Sequence, residues 1–141
     1  MTEFAAKRIT SFGITWCDWS LHCIEDIDKH ITTISRNKCV IRQLMFNEVS
    51  KEPLSIYEYM VSRNQCEGFF SFLRDVALVD EWQNDYSVLV CDGWSWESKI
   101  RYSNNTIKKV NGTVKPPPFG NDIAERILAM AEYVEIPLLF S

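Results

Sequence analysis

Residues 8–16 alternate between apolar and polar side chains, with Phe12, Ile14 and Trp16 on one side. Thr10, Ile14 and Thr15 add β-propensity, so a first strand is predicted here. Asp18-Trp19-Ser20 has turn chemistry, Leu21–Ile24 could pair back, and Glu25-Asp26-Ile27-Asp28 is a polar interruption. Ile31–Ile34 and Cys39–Phe46 are expected as two further strands around the turn Arg36-Asn37-Lys38. The connections are too short for crossovers, which implies an antiparallel meander. Residues 54–62 fit either a strand or a helical turn. The alternation of Tyr57, Tyr59 and Val61 with Ile56, Glu58 and Met60 favours the strand.

The period then changes. Asn64-Gln65-Cys66-Glu67 is similar to a capping box, and Phe69, Phe72, Leu73, Val76 and Ala77 recur at helical spacing, which predicts a helix over 65–77. Residues 80–85 read as a loop, Tyr86–Cys91 as a strand and Asp92-Gly93 as a turn. In the next strand Trp94, Trp96, Ser98, Ile100 and Tyr102 share one face, with Ser95, Glu97, Lys99, Arg101 and Ser103 on the other. A two-residue turn at Asn104-Asn105 would set Tyr102 opposite Ile107 and Arg101 opposite Lys108, with the return strand ending at Asn111-Gly112. Pro116-Pro117-Pro118 ends the sheet, because proline cannot donate to a ladder. Asp122-Ile123-Ala124-Glu125 opens a second helix near 122–135, with Ile123, Ile127, Met130, Ala131 and Val134 as its apolar stripe and Pro137 as its stop. The expected architecture is one α+β domain over residues 1–141, a mostly antiparallel sheet with two helices packed on one face.

The 141 residues are 46% hydrophobic and 24% charged, enough apolar bulk for one core without staples. No apolar run approaches the roughly 20 residues of a membrane helix. The apolar tail Ile136-Pro137-Leu138-Leu139-Phe140 is too short to span and is expected to pack back or to serve as a docking tag. The first residues lack a secretory apolar region, and the five cysteines (17, 23, 39, 66 and 91) are odd in number and without CxxC spacing. Both features point to the cytoplasm, with thiols acting as small hydrophobes. A net charge of −4 argues against general nucleic-acid binding. The charge is uneven: residues 94–115 carry five cations against Glu97 alone, a local balance of +4, so the remainder carries −8.

Several chemistries lack their signatures. Cys17, His22, Cys23 and Cys39 do not form the paired spacing of a structural zinc site. Cys91 with His22 or His30 has no local oxyanion hole or group to orient the base. The clusters Glu25, Asp26, Asp28 and Asp80, Glu81, Asp85 lack the calcium-loop pattern, and acidic surface loops do not raise a carboxyl pKa as acid–base catalysis requires. No GxGxxG, GxxxxGK or GxSxG segment occurs. No catalytic residue, metal ligand or cofactor is therefore assigned. Trp19 and Trp82 stand among acids at expected loops. Each is either an exposed binding hot spot or a plug at the end of the sheet, evenly balanced for Trp82 and in favour of the plug for Trp19.

Asp92-Gly93-Trp94-Ser95-Trp96, the strand through Tyr102-Ser103, the turn Asn104-Asn105-Thr106, then Asn111-Gly112 and a proline spacer before a last helix form a recurring arrangement. It resembles small bacterial α+β proteins with a D-G-x-x-W strand and a Y-S-D-G-T-like turn, some of which are similar to immunity proteins of polymorphic toxin systems. The resemblance spans about the last third of the chain. Asn104-Asn105 replaces its Asp-Gly, and it implies a scaffold without implying an active site. Three functions are expected in order. The first is a non-catalytic binding protein, such as an immunity-type inhibitor of another protein, that uses Asp80, Glu81, Trp82 and Asp85. The second is a small-ligand or nucleotide-binding module (an anti-defence role included) that uses Lys99, Arg101 and Lys108, for which phosphate is the natural ligand group. The third is an enzyme with a cysteine or carboxylate site.

Overall fold

The structure, a computed structural model, describes residues 8–18, 27–47, 51–88 and 94–131. Strands β1 (Ile9–Asp18), β2 (Ile27–Ser35), β3 (Val40–Asn47) and β4 (Ser55–Met60) precede helix α1 (Arg63–Asp75). A 3₁₀ turn (Val79–Glu81), β5 (Asp85–Tyr86), β6 (Trp94–Tyr102), β7 (Ile107–Thr113) and helix α2 (Gly120–Met130) follow. The strands form one seven-stranded sheet in the order β4-β3-β2-β1-β6-β7-β5. The fold is α+β as expected, with the meander β1 to β4 antiparallel throughout. The ambiguous segment at 54–62 is the strand β4.

Register assigns the two faces. Ile41, Ile34, Phe12 and Ile100 lie in one cross-strand row, and Gln43, Thr32, Ile14, Ser98 and Val110 in the next. All nine are buried. Phe69 of α1 meets Phe12 edge to face at 6.1 Å between ring centroids, so α1 lies over this inner face. Arg126 of α2 caps the Phe72 ring at 4.0 Å, which ties the second helix to the first.

Local chemistry moves several boundaries. Helix α1 starts two residues before the expected Gln65, because Ser62 caps it: its Oγ accepts from Gln65 N at 3.1 Å and donates to Gln65 Oε1 at 3.2 Å. Asn64, expected as the cap, is inside the helix. Helix α2 starts at Gly120 rather than Asp122. Phe119 enters it in the left-handed region (φ 61°), and Gly120 N bonds Pro117 O at 2.9 Å, so a backbone turn replaces the expected side-chain cap. Its end at Met130 is earlier than the expected 135, and Val134 and the apolar tail are outside the described residues.

The strand expected over 86–91 is only Asp85–Tyr86 within the described residues, and it pairs parallel to β7. Beyond it the Thr113 hydroxyl takes over, accepting from Val88 N and donating to Val88 O at 2.8 and 2.9 Å. The return strand β7 runs one residue past Gly112, to Thr113.

The hairpin between β6 and β7 has a three-residue loop instead of the expected two-residue turn. Tyr102 N bonds Thr106 O, Asn105 N bonds Tyr102 O, and Asn105 takes a positive φ of 68°. Asn104 Oδ1 fixes this turn by accepting from Thr106 N and Thr106 Oγ1 at 3.2 and 2.6 Å. The register therefore shifts by one. Arg101 faces Ile107, Ile100 faces Lys108, and Lys99 faces Lys109.

Candidate ligand face of the sheet

That one-residue shift decides where the basic residues point. Lys108 turns to the inner face, where its Nζ donates to the Asp80 carbonyl at 2.8 Å. Lys109 takes its place on the outer face, directly opposite Lys99 and beside Arg101, and all three are exposed. The expected cluster Lys99, Arg101 and Lys108 is thus Lys99, Arg101 and Lys109 in space. Like charges directly opposite on a sheet repel, which costs stability. Among the described residues, the carboxylate near Lys99 is that of Glu97, at 4.0 Å.

Beside these cations the sheet surface is low. The outward residues of the central strand β1 are Ser11, Gly13, Thr15 and Cys17, and Thr33 of β2 is opposite Gly13. A depression of about 250 Å³ opens above Gly13, walled by Lys99, Arg101, Thr33 and Ile107. A wider one of about 710 Å³ continues along the same face past Thr15, Lys29, Glu97 and Thr113. Lys29, Lys99 and Arg101, with Glu97 among them, therefore rim a floor that carries the hydroxyls of Ser11, Thr15 and Thr33.

Gly13 is the feature that sequence reasoning passed over. Its φ is not in the left-handed region, and a Cβ built there would meet only Thr33 Oγ1 at 3.5 Å, Thr32 O at 3.7 Å and Lys99 O at 3.9 Å, all ordinary contacts. Neither backbone conformation nor crowding requires glycine. Glycine inside a strand forfeits stability and marks a close approach by something else. The sequence did contain that signal: a glycine in the middle of an alternating strand.

The acidic loop is arranged differently from its expected role. Trp82 is 5% exposed, and its Nε1 donates to Ala77 O at 2.9 Å. It plugs the base of α1 and offers no surface, which corrects the hot-spot alternative. Asp80 accepts a short hydrogen bond from the Tyr102 hydroxyl. Burial, with the carboxylate beside it, pushes the Tyr102 pKa well up. Asp85 Oδ1 accepts from Ser87 N at 2.8 Å, and its carboxyl is held below its ordinary pKa by the Ser87 side-chain and backbone hydrogen bonds. Glu81 is exposed, as are Asp80 and Asp85. Trp82 is therefore not part of the surface that these acids present.

The residues weighed for chemistry are scattered. His30 is buried on the inner face, its ring 5.1 Å from that of Trp16. Cys39 and Cys66 are buried, and both thiols reach Arg36 O, at 3.6 and 3.7 Å. Burial pushes the Cys66 thiol up to about 11 and keeps it protonated. Cys17 is half-buried on the outer face. Trp19, His22, Cys23, Glu25, Asp26 and Cys91 lie outside the described residues. Among the described residues no three His, Cys, Asp or Glu side chains converge on a point that would hold a metal ion, and no helix is long and apolar enough to cross a membrane. No protein-family model matches the chain, and no curated protein matches it in sequence.

Proposed function

We propose that this chain is a non-catalytic binding protein that works through the outer face of its sheet, with both helices packed on the inner face. Its ligand is a small phosphate-bearing anion seated over Gly13. One observation carries this reading: a central-strand glycine with room for a side chain, beneath a depression lined by Lys99 and Arg101 together with Glu97, with Lys109 opposite Lys99 on the neighbouring strand. Arg101 supplies a planar fork suited to phosphate and the lysines supply compact positive charge, whose mutual repulsion an anion would relieve. Cys39 and Cys66 meet at one carbonyl as thiols, which suits a reducing compartment and favours the cytoplasm.

The test is thermal unfolding of the full chain with inorganic phosphate, pyrophosphate and nucleoside mono-, di- and triphosphates. A ligand at 100 times its Kd should stabilise the chain by about 2.7 kcal/mol. Gly13→Leu, which fills the depression, and Lys109→Glu should each abolish that gain while Lys108→Glu leaves the outer face intact. No stabilisation by any of these ligands would sink the proposal.

A second reading keeps the resemblance to immunity proteins. The exposed acids Glu81, Asp80 and Asp85 favour it, since an acidic loop can steer onto a basic cleft of a partner protein. Trp82 contributes nothing to such a contact. A stoichiometric protein partner lost on Glu81→Lys, with the anion titrations flat, would replace the first reading by this one.

A further inference from the structure

Strand β4 ends the sheet, and among the described residues it pairs with β3 alone. Among the described residues no strand pairs with the N–H and C=O groups along its other side. Natural edge strands are blunted by lysine, proline, bulges or short length. β4 is short, but it has neither Lys nor Pro within it, and its six pairs with β3 run without a bulge. Its side chains are also apolar where they should not be. Ile56 is 53% exposed and Met60 80% on the outer face, and Tyr57 is 43% exposed on the inner face. Leu54, just before the strand, is 51% exposed. No other stretch of the described residues gathers four exposed large hydrophobics within seven positions.

We propose that β4 is the site at which a second copy of this chain adds antiparallel, joining two sheets into one across a twofold axis. The strand is complementary to itself. Centred on Glu58, the pairing sets Ile56 opposite Met60 of the second copy, and Tyr57 opposite Tyr59, on both sides of the axis. Each apolar residue then meets an apolar residue on the same face, as a self-complementary twofold contact requires. The Tyr57 and Tyr59 rings already stack with centroids 6.4 Å apart and extend into an aromatic ladder. The single charge in the strand, Glu58, would face its own copy, but Arg42 is its partner on β3. The resulting row, Arg42, Glu58, Glu58, Arg42, flanks the two carboxylates with cations. An unrelated peptide would have to supply this same sequence of apolar, acidic and aromatic positions. A second copy supplies it by symmetry.

A contact made by one short strand falls at the small end of specific interfaces, so the dimer should be weak and concentration-dependent. Sedimentation equilibrium on the full chain tests it. The expected result is a rise from one-chain to two-chain mass over roughly 10 to 500 μM, the range of weak association. Ile56→Lys and Met60→Lys, both at exposed positions that the fold does not need, should each weaken the dimer by at least about tenfold. Glu58→Gln should tighten it, because it removes the one like-charge opposition on the axis. A chain that stays monomeric throughout, a dimer insensitive to both lysine variants, or a larger oligomer would overturn the proposal.

Discussion

Arg36 and Glu67 form a two-pronged ion pair, with Nε to Oε2 at 2.8 Å and Nη2 to Oε1 at 2.7 Å, that fastens the β2–β3 turn to α1. The arginine is anchored further. Its Nη1 donates to Ile9 O at 3.0 Å, and its guanidinium lies over the Phe70 ring at 5.4 Å. The arginine side chain is 11% exposed and the glutamate 37%, so the two ends are not equivalent. Glu67→Gln strands a buried guanidinium and should cost about 1–3 kcal/mol in urea unfolding. Arg36→Met removes the buried charge, keeps the packing on Phe70, and should cost less than Glu67→Gln if desolvation dominates. A larger loss for Arg36→Met would mean that the bond to Ile9 O matters more than the ion pair.

The same pair has an acid signature. Arg36 hydrogen bonding holds the Glu67 carboxyl below its ordinary value. A depressed carboxyl pKa contributes stability above the unfolded pKa and loses it as pH falls through the folded value. Unfolding free energy should therefore decline from about pH 5 downward, and Glu67→Gln should flatten that decline. An unchanged acid limb in the variant would refute the assignment.

At the other end of the pH scale the relevant group is Tyr102. Burial first, and then the bond to Asp80, raise its pKa above the ordinary value near 10. A raised pKa gives stability that is complete below the unfolded value and is lost as pH rises through the folded one. Tyr102 should thus make stability fall above pH 10, and Tyr102→Phe should remove that dependence while costing about 1 kcal/mol at neutral pH. Spectrophotometric titration of the phenolate should find one tyrosine that ionises only as the chain unfolds.

Among the described residues, Ser98 Oγ and Gln43 Oε1 are buried without a hydrogen-bond partner, although Gln43 Nε2 donates weakly to Thr32 Oγ1 at 3.4 Å. An unmet buried group carries its desolvation cost with no return. Ser98→Ala should raise stability, or leave it level, by up to about 1 kcal/mol, and Gln43→Met should do the same. Clear destabilisation of both would indicate that ordered water satisfies these atoms.

Periodicity carried most of the fold. The alternation in β1 and β6 was plain because each has one wet and one dry face, whereas β4, exposed on both faces, fitted two readings. The helical stripe of α1 was plain for the same reason. What escaped depends on single hydrogen bonds. Asn104 choosing Thr106 N as its donor lengthened the hairpin loop by one residue and exchanged Lys108 for Lys109 on the ligand face. The parallel pairing of β5 with β7 joins residues far apart in sequence, which no local period reveals. Trp82 was equally undetermined, since only the Ala77 carbonyl at the end of α1 explains why an indole among acids is buried.

Two glycines should respond in opposite ways to the same substitution. At Gly13 an added methyl meets only ordinary contacts, so Gly13→Ala should stabilise the chain by about 0.5–1 kcal/mol through reduced unfolded-state freedom. At Gly112 the added carbon would sit 2.7 Å from Cε2, Cζ2 and Nε1 of the Trp96 indole. That ring cannot retreat: it is 2% exposed, stacks on Tyr86 at 6.2 Å, and donates from Nε1 to Lys115 O at 2.7 Å. Gly112→Ala should therefore cost about 1–3 kcal/mol, as overpacking does. It should also shift the Trp96 fluorescence, because relief requires the indole to leave its carbonyl. Equal responses at the two positions would mean that Trp96 can give way, and that the open space over Gly13 is no measure of what the outer face accepts.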